Sequence, residues 1–159
     1  MASERLLTSW SEYETAVGQL LPTAENAIAI FDRDLASLRL EKPGHHQALA
    51  DFLRRAPNVR LRIAVQSAQA IRTHSPRLMQ LLQTFAHRFQ LVEVPPHLAR
   101  LSDSMLLIDD ASAVVRFHHD HPRSKEILAD ADACSPYGKR FEDIWAEGGT
   151  PISATTLGL

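Results

Sequence analysis

The stretch Ser102-Asp103-Ser104-Met105-Leu106-Leu107-Ile108-Asp109-Asp110-Ala111-Ser112-Ala113-Val114-Val115-Arg116-Phe117-His118-His119-Asp120-His121 decides how this chain reads. Two apolar runs of strand length flank Asp109-Asp110, and the second closes on Arg116 and the densest group of histidines in the chain. Aspartates tolerate the backbone of a tight turn, so the pattern predicts strand, two-residue turn, strand. A polar site is expected just beyond the second strand.

Upstream, Gln90-Leu91-Val92-Glu93-Val94 reads as a strand ended by Pro95-Pro96. Before it, Leu78, Leu81, Leu82 and Phe85 recur at helical spacing behind Ser75-Pro76, an N-cap candidate and a first-turn proline. Arg60-Leu61-Arg62-Ile63-Ala64-Val65 alternates and then turns wholly apolar, as a strand does when one end emerges from a sheet. Leu49, Phe52, Leu53 and Ala56 form a helical stripe between Pro43-Gly44 and Pro57-Asn58. Ala27 to Phe31 is a short apolar strand of the kind buried on both faces. Strand, helix, strand implies right-handed parallel crossovers.

At the N-terminus Trp10, Tyr13, Val17, Leu20 and Leu21 predict an amphipathic helix that Pro22 stops. At the other end, Ser135-Pro136 predicts the start of a helix whose Tyr137, Phe141, Ile144 and Trp145 face inward, with Gly148-Gly149 ending it. The expectation is one α/β domain with a mixed β-sheet flanked by helices. Residues 1–22 form an N-terminal helix, 24–148 the body, and 149–159 a tail lying on the body through Ile152, Leu157 and Leu159.

The chain has 159 residues, 45% of them hydrophobic, enough to bury a substantial core. No segment has the uninterrupted apolar length of a signal peptide or a membrane helix, which predicts a soluble, cytoplasmic protein. Cys134 is the only cysteine, so no intrachain disulfide forms. The net charge of -2 is unevenly spread. Residues 1–32 carry one arginine against five acids (-4), residues 33–100 eleven basic against four acidic residues (+7), and residues 101–159 five basic against ten acidic (-5). A basic middle could attract an anion or nucleic acid, but its arginines are scattered over several elements, which favours solvated faces and internal pairs.

The opening stretch resembles the signature of the phospholipase D superfamily, a strand reading H-x-K-x4-D, a short turn, and a second strand ending near G-S-x-x-N. Laid on this chain, Ser102 and Ser104 stand at the histidine and lysine, and Asp109 at the aspartate. Arg116 and Phe117 replace the glycine and serine, and Asp120 stands at the asparagine. The order of strands and helices over residues 24–148 follows one half-domain of that family. The resemblance implies a single phospholipase D-like half-domain, and a homodimer if two motifs are to face each other. It also implies loss of catalysis: serine is neither a base at neutral pH nor a cation, so Ser102 and Ser104 cannot form a phospho-histidine or offset phosphate charge.

The remaining candidates lie beside the motif. In an extended segment Arg116, His118 and Asp120 would share one face, with Phe117, His119 and His121 on the other. One reading is a rebuilt site for an anionic or phosphate-containing ligand, lined by Ser102, Ser104, Arg116, His118, Asp120 and His121. In a phosphodiesterase-type hydrolase, His118, His119 and Asp109 would then be the catalytic candidates. The preferred reading is structural, with these residues bounding a strand end. A metal reading of the histidines ranks last, because neighbours on a strand point oppositely and at most two would share an ion. No metal or cofactor is expected. His45-His46, His74 and His97 are expected at the surface, Cys134 reads as an ordinary residue before a helix, and Asp109-Asp110 as turn chemistry. The preferred function is a non-catalytic binding or assembly module.

Overall fold

The computed structural model describes residues 2–154. Its centre is the expected hairpin: β5 (Ser104–Ile108) and β6 (Ser112–Arg116) pair antiparallel, with Leu106 opposite Val114. Asp109 and Asp110 take φ of 54° and 57°, and the Ala111 amide donates to the Ile108 carbonyl at 3.0 Å, which makes a type I′ turn. The Asp109 carboxylate accepts from the amides of Glu25, Asn26 and Ala27 at 2.8, 2.7 and 2.8 Å, tying the turn to the start of β2 (Ala27–Asp32).

β2 joins this hairpin to a parallel trio. It runs antiparallel to β5 on one side and parallel to β3 (Arg60–Val65) on the other, and β3 runs parallel to β4 (Phe89–Glu93). The helices α2 (Pro43–Arg55) and α4 (Pro76–Thr84) make the crossovers, with a single helical turn, α3 (Ile71–His74), before α4. Three further strands complete an eight-stranded mixed sheet ordered β1-β7-β6-β5-β2-β3-β4-β8. They are β1 (Ser3–Leu7), β7 (Ser124–Leu128) and β8 (Thr150–Pro151).

Period-two alternation sends even-numbered residues of β2, β5 and β6 to one face and odd-numbered ones to the other. Ile28, Ile30, Leu106 and Val114 pack against α1 (Trp10–Leu20), α2 and α4; Phe31, Met105, Leu107 and Val115 pack against α5 (Ala131–Ala146). Both faces of the central strands are covered, which is why they read as continuous apolar runs.

Several expectations need correction. The N-terminal 22 residues are not all helix, because edge strand β1 precedes α1 and pairs with β7. Pro76 does open α4, yet Ser75 makes no side-chain cap; the carboxylate of distant Glu41 accepts from the Arg77 and Leu78 amides instead. α5 begins four residues before Ser135, capped by Asp130 accepting from the Ala133 amide at 3.0 Å, so Pro136 lies inside the helix. His45 is buried rather than exposed, its Nδ1 held 3.0 Å from the Leu38 and Arg39 carbonyls. His46 is half-buried and His74 exposed, and exposed His97 pairs with Glu147 at 2.9 Å. The tail lies on the body where expected: β8 pairs with β4 and Ile152 is buried. Leu157 and Leu159 lie outside the described residues.

The three amides held by Asp109 make it the bolt between hairpin and sheet. Asp109→Ala should lower the unfolding free energy by about 1–3 kcal/mol, read from the urea midpoint, because three donors lose their acceptor.

Candidate functional site

At the end of β2, the carboxylate of Asp32 is 1% exposed and accepts four donors. Ser104 Oγ donates to Oδ1 at 2.5 Å and Arg116 NH2 at 2.9 Å, while the amides of Asp34 and Leu35 donate to Oδ2 at 3.1 and 2.7 Å. Leu35 reaches its place with φ of 70°. The geometry follows from the ladders: Ser104 pairs with Arg116, Arg116 with Ser124 and Ser124 with Leu7, all on the face beneath α1.

Arg116 is likewise 1% exposed. Its guanidinium carbon lies 4.9 Å from the Tyr13 ring centroid and 5.4 Å from that of Trp10, so the first turns of α1 roof the ion pair with π-faces. Among the described residues its Nε and NH1 have no hydrogen-bond acceptor. Burial pushes the Tyr13 phenol far above its ordinary range against the opposing pull of Arg116, so it stays protonated. Asp32, Tyr13 and Trp10 were not among the site residues expected from sequence. The available signal was an acid closing an apolar strand, and an aromatic pair three residues apart on one helix face.

Beyond Arg116 the chain stops being a strand. The His119 amide donates to the Ser102 carbonyl at 2.7 Å and the His121 amide to the His118 carbonyl at 3.0 Å, folding residues 117–121 into a turn. The expected alternation of faces therefore fails. His118, His119 and Asp120 come together, each with one ligand atom within 4.8 Å of the others, so three residues rather than two can meet at one point. The His118 ring lies 4.6 Å from that of His119 and 5.2 Å from that of His121. Arg33 NH1 sits 3.2 Å from His119 Nε2 and 3.6 Å from Asp120 Oδ1. Partial burial, with Arg33 adding to it, lowers the His119 pKa and favours its neutral form.

The candidate residues thus fall into three places. Ser104 and Arg116 belong to the buried Asp32 cluster; Ser102 borders it, with its carbonyl holding the histidine turn. His118, His119, Asp120 and His121 form the turn itself. Asp109 stands at the far end of β5, about 17 Å from Ser104 at strand rise, and shares no site with either group. Cys134 is in the first turns of α5, where burial pushes its thiol up to about 11.

The chain's relations can be set beside this geometry. The profile of a family described as a domain of unknown function (DUF7931) matches residues 9–154. The chain belongs to that family. No curated protein matches it in sequence. Among solved structures it is similar to Nuc of Salmonella typhimurium, a phospholipase D family member, with a TM-score of 0.63 at 13% identity over 96% of this chain and 99% of that one. NucT of Helicobacter pylori gives 0.61 at 8% identity over 96% and 100%. TrmBL2, an archaeal chromatin protein with a novel mode of DNA binding, gives 0.68 at 12% over 94% of this chain, which spans about half (54%) of that protein. The fold is phospholipase D-like. Among the described residues no helix is long and apolar enough to cross a membrane.

Arg116→Met should cost about 3–5 kcal/mol of folding free energy, because it leaves the Asp32 charge buried without its cation. Cys134 should resist alkylation by iodoacetamide at neutral pH in folded protein and react fully once denaturant is added, as mass spectrometry would record.

Proposed function

We propose that this chain is a non-catalytic phospholipase D-like domain acting, as a pair of copies, as a binding or assembly module. One observation carries the reading. At the strand ends where the superfamily's motif would grip a phosphoryl group, a cation is present in Arg116, directly opposite Ser104, but its partner is the chain's own Asp32. That internal carboxylate occupies the place of an anionic ligand, and Tyr13 and Trp10 close it from solvent. Positions 102 and 104 supply hydroxyls, neither a nucleophilic imidazole nor an ammonium.

Assembly draws support from the surface beside that pair. Trp10 and Phe117, each 42% exposed, are large apolar groups adjoining Arg116, one through its ring and the other through the chain. The occupant proposed for this surface is a second copy, because each chain carries a single motif. Light scattering on the purified protein should give a dimer mass, and Phe117→Asp should shift it toward monomer; a monomer at all accessible concentrations removes this arm.

Hydrolysis of bis(4-nitrophenyl) phosphate by the purified chain should not exceed the buffer rate. Turnover that disappears in His118→Ala or His119→Ala would overturn the non-catalytic reading in favour of a rearranged Arg/His hydrolase.

Nucleic-acid binding is the second reading, supported by the basic middle third and by likeness of fold to a chromatin protein. Against it, Arg62 is held by Glu142, Arg39 and Lys42 by Glu14, and Arg88 by the Leu53 carbonyl, so much of that charge is internally committed. Binding to duplex DNA by fluorescence polarisation should weaken steeply with added salt if this reading holds, and a salt-independent signal counts against it.

A further inference from the structure

We propose that His118, His119 and Asp120 form a site for a borderline divalent metal ion such as zinc, for which Arg33 is a built-in competitor. The hydrogen bonds around the turn reveal which lone pairs are presented. The Asp120 amide donates to His118 Nδ1 at 3.1 Å, so the lone pair of that nitrogen is held by a backbone amide that an ion would displace, and it lies 3.9 Å from Asp120 Oδ2. Arg33 donates to His119 Nε2, so that nitrogen carries a lone pair too. Two imidazoles and a carboxylate come together, with one ligand atom of each within 4.8 Å of the others. Two imidazoles and one carboxylate are a donor set suited to zinc, nickel or cobalt, with water completing the shell.

The second observation is where Arg33 puts its charge. NH1 stands 3.2 Å from His119 Nε2 and 3.6 Å from Asp120 Oδ1, so a cationic group already lies against two of the three ligand residues. Toward those two the guanidinium takes the place of an ion. The Arg33 side chain is 52% exposed and Asp120 61%, so both can move without disturbing the core. The turn itself is anchored by backbone bonds from His119 to Ser102 and from His121 to His118. Withdrawal of Arg33 would free the site at the cost of one exposed ion pair, whose worth is small. The site lies on the surface beside the motif, separate from the sealed Asp32–Arg116 pair.

The full chain, freed of any affinity tag, should take up one Zn²⁺ per molecule by calorimetry, and Co²⁺ should develop the visible absorption of a nitrogen–oxygen site. His119→Ala and Asp120→Ala, both on a surface turn and checked for folding by circular dichroism, should each weaken binding at least tenfold. Arg33→Gln should strengthen it severalfold. Absence of Zn²⁺ and Co²⁺ binding in both wild type and Arg33→Gln would overturn the proposal, as would wild-type binding that His119→Ala and Asp120→Ala leave unchanged.

Discussion

The ion pair of Asp32 and Arg116 is the constraint to which the motif end of the fold is fitted. Two opposite charges, each 1% exposed, are tolerable inside a sheet only if the carboxylate is fully hydrogen-bonded. Asp32 meets that requirement by drawing donors from three elements: the hydroxyl of β5, the guanidinium of β6 and two amides of its own following turn. The left-handed backbone at Leu35 belongs to the same arrangement, since it aims an amide back at the carboxylate. α1 in turn lays the rings of Tyr13 and Trp10 against the guanidinium, whose Nε and NH1 have no oxygen partner among the described residues.

This pair also separates scaffold from chemistry. The similar solved structures share the fold at 8–13% identity. A site that offers its cation to an outside anion must leave that cation partly unpaired and reachable; here the pairing is internal and the roof is aromatic.

Much of the architecture was legible because it rests on local periodicity. β2, β3, β4 and the β5–β6 hairpin are apolar runs covered on both faces, and α1, α2 and α4 carry regular stripes. β1 and β7 escaped because their composition is mixed: Ser3-Glu4-Arg5-Leu6-Leu7 is a largely exposed edge, and Ser124-Lys125-Glu126-Ile127-Leu128 buries a glutamate that only its pairing with Arg5 explains. The site was legible in part. Arg116 and the histidines stood out as unusual residues after a strand, but the partner of Arg116 lies 84 residues away, and no local pattern announces it. Period-two reasoning misplaced His118 to Asp120 because the strand ends at Arg116, where a backbone bond from His119 to Ser102 takes over.

The two margins of the sheet are unlike. β8 is two residues long and one of them, Pro151, has no amide hydrogen, while Gly149 lets the chain approach β4 so closely that an added Cβ would sit 2.4 Å from the Glu93 carbonyl oxygen. That border is blunt, with almost no ladder to extend. β1 is a five-residue strand at the opposite border, and there the described residues offer a longer regular template for growth of the sheet by a further strand, from any chain.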